Sequence, residues 1–234
     1  MRVITVIAKH PGSGQTSVLV NLASGLVRQG YRVLIGELGK SEKLRNWLDV
    51  RQEQNQVVDI DIPTTANDIK TAILSSQLGI DLLPLVVEPG TQMTPLRLTC
   101  LEELDYDFLL LHPVGSEYYK LPDMFAATVI VCTDLSHDNE LEELQTLEEG
   151  LQSLGKGNGI DLILPNKINT KEWDHNSQIL FTLADYFGYE KIADPIPHCE
   201  RLHDLSLEGR TVWELSQANL QNTFLRLIET VESM

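Results

Sequence analysis

Short apolar runs and longer amphipathic segments alternate from one end of the chain to the other. The apolar runs have no polar face and predict strands at residues 3–8, 32–35, 108–111, 128–132 and 161–164. Apolar side chains at helical spacing predict helices at residues 16–29, 141–154, 173–187 and 220–231. Buried strands that alternate with helices are typical of an α/β fold with a mostly parallel, twisted sheet covered by helices on both faces. No linker or repeat divides the sequence, so we predict a single domain, 1–234.

The length and the cysteine content indicate where such a domain resides. The 234 residues can bury a core without a disulfide or a metal. Cys100, Cys132 and Cys199 are odd in number and widely spaced, which predicts free thiols in a reducing compartment. The apolar part of the N-terminal segment is too short for a signal peptide, and no apolar run has the length of a membrane span. We therefore expect a cytoplasmic protein.

The net charge of −16 disfavours two classes of partner. A strongly acidic surface repels nucleic-acid phosphates and anionic lipid headgroups, so we expect neither DNA nor membrane binding. The acidic stretch at residues 138–149 is interpreted as the solvated face of a helix. The C-terminal helix lacks the basic face of a membrane-binding helix, and its apolar spacing predicts packing against the core.

A glycine-rich segment joins the first predicted strand to the first predicted helix, and it reads His10-Pro11-Gly12-Ser13-Gly14-Gln15-Thr16-Ser17. Such a turn directs backbone N–H groups at one position, where the helix N-terminus also favours a phosphate. Thr16 stands where a P-loop hydroxyl binds Mg²⁺. The P-loop pattern GxxxxGK[ST] is nevertheless broken, because Lys9 replaces its first glycine and Gln15 its lysine. A glycine-rich turn without a ligand is the alternative interpretation.

Several segments, in the right order, resemble the MinD/ParA family of P-loop ATPases, whose deviant Walker A motif reads KGGxGK[ST][ST]. In the loop, His10 matches the family's signature lysine and Gln15 its Walker lysine. Residues 106–112 (YDFLLLH) resemble the Walker B strand, and residues 37–39 (ELG) the switch segment. Residues 159–167 (GIDLILPNK) resemble the strand that ends in the adenine-binding asparagine, and residues 196–212 the family's late segment. The likeness covers nearly the whole chain and implies the P-loop NTPase fold.

The resemblance implies a nucleotide site. Residues 10–17 would bind the phosphates, Asn166 and Pro197 would belong to the same site, and Thr16 would hold the metal. The implied cofactor is ATP or ADP, with Mg²⁺ only if the nucleotide binds. In the family, an ATP-bound dimer forms face to face and hydrolysis opens it, in cycles such as DNA partitioning, division-site placement or pole localisation of an assembly.

Four charged positions of the family are altered together in this chain, at His10, Gln15, Gly39 and His112. Phosphoryl transfer depends on charge neutralisation and positioning, so we expect weak or absent hydrolysis, as in a pseudo-ATPase. Glu37 could hold Mg²⁺ through water, or it could be a polar residue at a strand end.

The expected function is a nucleotide-responsive scaffold or regulator, as a homodimer or as a heterodimer with an intact relative, that positions a protein partner. A slow ATPase, in which Lys9 or another residue supplies the lost charge, is one alternative. A regulatory subunit that completes the site of an intact relative is another. The GQTS ending of the loop resembles the CpaE/TadZ branch, whose members localise pilus-assembly machinery.

Overall fold

A computed structural model of the chain describes residues 1–50, 58–59, 65–86, 101, 103–114, 127–135, 139–153 and 159–234. Three residues named above lie outside the described residues. They are Cys100, Asp138 at the start of the acidic stretch and Leu154 at the end of a predicted helix. Cys132 and Cys199 are free thiols, as expected.

The strands form one sheet. They are β1 (Arg2–Ala8), β2 (Val33–Leu38), β3 (Val58–Asp59), β4 (Leu74–Ser75), β5 (Asp81–Val86), β6 (Phe108–Pro113), β7 (Thr128–Thr133) and β8 (Leu162–Pro165). Their order is β3-β5-β2-β6-β1-β7-β8, all paired in parallel, and β4 pairs antiparallel with β5. The predicted α/β fold with a mostly parallel sheet is confirmed.

Helices cover both faces of this sheet. The described helices are α1 (Gln15–Arg28), α2 (Glu42–Leu48), α3 (Ala66–Ala72), α4 (Glu140–Ser153), α5 (Trp173–Phe187), α6 (Arg201–Leu207) and α7 (Ala218–Ser233). Because strand side chains alternate between faces, Val6 and Ile35 pack with α1, α2 and α7, while Leu34 packs with α3 and Ile7 with α4 and α5. The carboxyl ends of β1, β2, β6, β7 and β8 therefore meet at one edge, where ligands bind in such sheets.

The C-terminal helix belongs to the core, as its pattern predicts. α7 buries its apolar stripe, which consists of Leu220, Phe224, Leu227, Ile228 and Val231. Asn21 of α1, fully buried, accepts a 2.7 Å hydrogen bond from the Val212 N–H and so ties the late segment to α1. No helix among the described residues is long and apolar enough to cross a membrane.

Candidate nucleotide-binding site

The glycine-rich loop lies between the end of β1 and the start of α1. Gly12 and Gly14 adopt positive φ values of 97° and 96°, which other residues rarely reach. The first bond of the helical ladder runs from the Val18 N–H to the Gly14 carbonyl. The N–H groups of residues 14–17 precede that ladder, and Gly14, as the N-cap, has no side chain to satisfy them. The loop therefore presents backbone N–H groups at a helix N-terminus, which suits an anion.

Ser13 and Asn166 hold the loop in this shape. Ser13 donates from its N–H and its hydroxyl to the His10 carbonyl, at 3.1 and 2.8 Å. The Asn166 amide, almost fully buried, donates to the Ser13 carbonyl at 2.7 Å. A Cβ atom on Gly14 would meet that amide nitrogen at 2.1 Å, so Gly14 is required by packing as well as by its φ. Asn166 thus supports the loop from beneath, and its contact with adenine stays a prediction.

The Gln15 side chain is bonded to the backbone of two strands. Its amide nitrogen donates to the carbonyls of Val6 and Pro113, at 2.8 and 2.9 Å. These two bonds use both amide hydrogens. In this arrangement the Gln15 side chain joins β1 to the end of β6.

The Thr16 hydroxyl is hydrogen-bonded to a buried histidine ring. The Thr16 Oγ1 and His112 Nε2 atoms are 3.1 Å apart, and His112 is 3% exposed. Burial lowers the pKa of His112 to about 4, so the ring is neutral at pH 7. His112 therefore occupies the family's carboxylate position with an uncharged group that contacts the hydroxyl proposed as a Mg²⁺ ligand.

The buried ring predicts a pH-dependent stability. Its pKa falls from 6.5 to about 4 on folding, so between these pH values the unfolded chain binds a proton that the folded chain does not. We expect His112 to remove about 3 kcal/mol of unfolding free energy as the pH falls from about 6.5 to 4. Urea denaturation at a series of pH values measures this loss. The loss of unfolding free energy should be smaller in His112→Asn. It should be unchanged in the control His175→Asn, which replaces an exposed histidine. An identical pH profile for His112→Asn would contradict it.

The Glu37 carboxylate is paired with an arginine side chain. It is fully buried in β2 beside His112 of β6, and it forms an ion pair with Arg45 of α2. The Arg45 Nε donates to it at 2.8 Å, and the Ser41 N–H donates at 2.7 Å. Of the two interpretations of Glu37, the geometry favours the structural one, since its oxygens are already engaged by groups of the same chain.

The acidic helix α4 is only partly a solvated face, so that interpretation was wrong for two of its residues. Glu143 Oε2 lies 2.7 Å from His10 Nε2 and 3.8 Å from the Lys9 Nζ. Glu140 is 1% exposed and accepts a hydrogen bond from Thr133, and its burial raises its pKa. The spacing of apolar residues in the sequence could not predict these contacts, because they depend on how α4 packs beside the loop. His10 therefore pairs within its own chain.

Pro197 lies near the loop through β8. It forms a parallel bridge with Ile168, two residues beyond Asn166, and the next N–H, of His198, donates to the Ile168 carbonyl at 3.0 Å. The structure thus brings residues 10–17, Asn166 and the Pro197 segment to one edge of the sheet. Whether Pro11, Ser17 and Pro197 contact a nucleotide remains a prediction.

The sequence analysis missed one lysine that contacts the loop. Lys167, which adopts a positive φ of 59°, donates from its Nζ to the Gly12 carbonyl. Lys43 of α2 is exposed, yet partial desolvation and the charge of Lys167 lower its pKa. Lys167 directly follows Asn166 and could have been considered for that reason.

The side chains suit a phosphate better than a divalent cation. The described residues contain no group of three or more histidine, cysteine, aspartate or glutamate side chains that could hold a metal. Gly39 has no side chain, and the nearest carboxylate on that strand, Glu37, pairs with Arg45. The loop therefore fits the phosphates of a nucleotide, while the set of Mg²⁺ ligands is incomplete.

Known proteins share this architecture. No protein-family model matches the chain. A stretch of 125 residues is 30% identical to the probable plasmid-partitioning protein ParA of Thermus thermophilus, covering 49% of this chain and 38% of that protein. The chain therefore matches well under half of the length of this relative.

Solved structures match over almost the full length. The ATP complex of a Cyanothece McdA variant has a TM-score of 0.78 at 17% identity, covering 99% of this chain and 96% of that one. The MinC:MinD cell division complex of Aquifex aeolicus gives 0.72 at 16%, covering 100% and 97%. Likeness at such identities shows a common fold. The resemblance that the motifs indicate is thus confirmed, and the chain has the MinD/ParA type of P-loop fold.

Proposed function

We propose that this chain is a degenerate MinD/ParA-like protein that binds ATP or ADP without appreciable hydrolysis. It acts as a dimeric, cytoplasmic scaffold or regulator that positions a protein partner. One observation carries the proposal. The backbone of the loop keeps the shape of a phosphate cradle, while the side chains of Gln15, Thr16 and Glu37 are engaged by groups of the same chain. Such a site can retain a nucleotide but lacks the charges that accelerate phosphoryl transfer.

The role in positioning is supported by the relatives. The matched ParA protein is described as a plasmid-partitioning protein, and the matched MinD was solved with MinC, a cell division partner. Dimerisation follows from the family resemblance. The acidic surface of this chain, with its net charge of −16, favours a protein partner over DNA or an anionic membrane.

Calorimetry with ATP and ADP, together with the mass from light scattering, tests the proposal. The wild-type protein should bind both nucleotides, and ATP should shift its mass towards that of a dimer. Turnover in the same samples would support a slow ATPase instead. Binding that requires an intact relative would support a regulatory subunit.

The variant Ser17→Glu provides the control for the cradle. A glutamate at the third position of α1 can reach back to the N–H of the N-cap, Gly14, and its charge favours the helix N-terminus. It should therefore abolish nucleotide binding without lowering the melting temperature. Ser17→Gln lacks the charge and should retain most of the binding. Equal binding by the wild type and Ser17→Glu would contradict a site at this loop.

A further inference from the structure

We propose that Glu143 inhibits nucleotide binding from within the chain. Its carboxylate holds Lys9 and His10, and the phosphates of ATP or ADP must displace it from them in order to bind. The inference rests on the proposed function and names a contact that regulates the affinity of that site. Its first premise is that Lys9 and His10 are the only basic residues between positions 9 and 17, and that one carboxylate faces both of them.

The contact between Glu143 and the loop is close and partly sheltered from solvent. The Glu143 Oε2 atom lies 2.7 Å from His10 Nε2 and 3.8 Å from Lys9 Nζ. The side chains of Lys9, His10 and Glu143 are 19%, 24% and 25% exposed. Salt screens such charges less than fully exposed ones. One carboxylate oxygen therefore serves both basic groups of the loop.

The two basic residues lie next to the proposed phosphate cradle. The Ser13 N–H and hydroxyl both donate to the His10 carbonyl and close a four-residue turn. In such a turn the first and last Cα atoms are within about 7 Å of each other. Gly14, whose N–H begins the cradle, directly follows this turn. Because charges in physiological salt interact over about 8 Å, the groups that neutralise Lys9 and His10 also affect the potential at the cradle.

Burial distinguishes Glu143 from the other acidic residue near this contact, Glu140. Glu140 lies three residues earlier on α4, is 1% exposed and accepts a hydrogen bond from the Thr133 hydroxyl. Its burial raises its pKa, which favours the neutral carboxyl. A neutral carboxyl does not compete with a phosphate for basic groups. Glu143, which keeps some contact with solvent and faces the loop directly, is therefore the group that a phosphate has to replace.

The contact lowers the affinity for an anion in two ways. A nucleotide has to break the contact of Glu143 with the loop, and it has to bind close to a carboxylate of like charge. A partly exposed pair is weak enough for this exchange, since a phosphate carries more charge and accepts more hydrogen bonds than a carboxylate. The Glu37–Arg45 pair, with side chains 0% and 11% exposed, is buried and so too costly to open. Glu143 can therefore act as a reversible inhibitor.

Calorimetric titration of the full chain with ATP tests this role through Glu143→Gln, which removes the charge and keeps the size of the side chain. The variant should bind ATP roughly tenfold more tightly than the wild type. Glu142→Gln removes an exposed charge from the adjacent position of α4 and should change affinity less than about twofold. ATP binding by Glu143→Gln that is equal to or weaker than that of the wild type would overturn the inference and leave the proposed function standing. The absence of ATP binding in all three proteins would overturn the proposed function as well.

A double-mutant cycle tests whether Glu143 acts through the basic residues of the loop. In the variant Lys9→Gln/His10→Gln, the further change Glu143→Gln should raise ATP affinity only about twofold, because no basic group remains to be released. Melting curves should confirm that each variant folds, since the three side chains are only partly buried. A tenfold gain in both backgrounds would show that Glu143 acts by long-range repulsion alone, and it would overturn the assigned contact.

Discussion

The Arg45→Met variant should lose about 3–5 kcal/mol of unfolding free energy relative to the wild type. Its partner Glu37 is fully buried in β2, and the Arg45 side chain is 11% exposed. Removing the guanidinium leaves a carboxylate in the protein interior with only the Ser41 N–H as a described hydrogen-bond donor. A buried charge without its partner is much more costly than the loss of a neutral contact. Urea denaturation at pH 7 measures the difference.

Two controls separate the buried charge from other effects of the substitution. The double variant Glu37→Gln/Arg45→Met removes both charges and should recover most of the lost stability. Arg201→Met breaks the exposed pair with Asp204, whose side chains are 53% and 49% exposed, and should cost less than about 1 kcal/mol. If Arg45→Met lost as little unfolding free energy as Arg201→Met, the buried ion pair would not stabilise the protein more than an exposed one does.

ATP turnover should remain at the level of the buffer background. The chain has His10, Gln15, Gly39 and His112 where the resemblance places charged groups. In other enzymes the loss of one electrostatic contact lowers the rate roughly a hundredfold to a thousandfold. Several losses together should therefore remove almost all activity, and Gln15→Lys alone should not restore it, since Gly39 and the neutral, buried His112 remain.

Phosphate release measured with and without Thr16→Ala distinguishes turnover from contamination. A low rate that is equal in the wild type and in Thr16→Ala would come from a contaminant and would agree with the prediction. Turnover that Thr16→Ala abolishes would contradict it, because Thr16 would then act in a functional site.

The strands and helices that the sequence could predict are those with the clearest hydrophobic patterns. The strands β1, β6, β7 and β8 are apolar on both faces, and the helices α1, α4, α5 and α7 each have at least 14 residues. The pattern assigned no element to α2, α3 and α6, which have seven residues each and so only about two turns of periodicity. It also left out β5, which contains Pro84, a residue that argues against a sheet interior.

The position of the glycine-rich loop could be predicted, but the contacts of its side chains could not. The glycines at positions 12 and 14 revealed the loop because positive φ values restrict the choice of residue. The contacts of Gln15 with Pro113, and of Glu143 with His10, join segments far apart in the chain. Such contacts depend on packing in three dimensions, so the sequence pattern placed Gln15 with the phosphates and Glu143 in solvent.

The most direct test of a phosphate cradle in this loop is the response of individual backbone amides to ATP. In a titration of ¹⁵N-labelled protein, we expect the largest NMR shifts at the amides of Gly12, Gly14, Gln15, Thr16 and Ser17. Their N–H groups form the cradle that precedes the helical ladder of α1. Amides on the far side of the sheet, such as those of α3, should stay unchanged. If millimolar ATP left the loop amides unmoved, or moved a different set, the loop would not be a phosphate site.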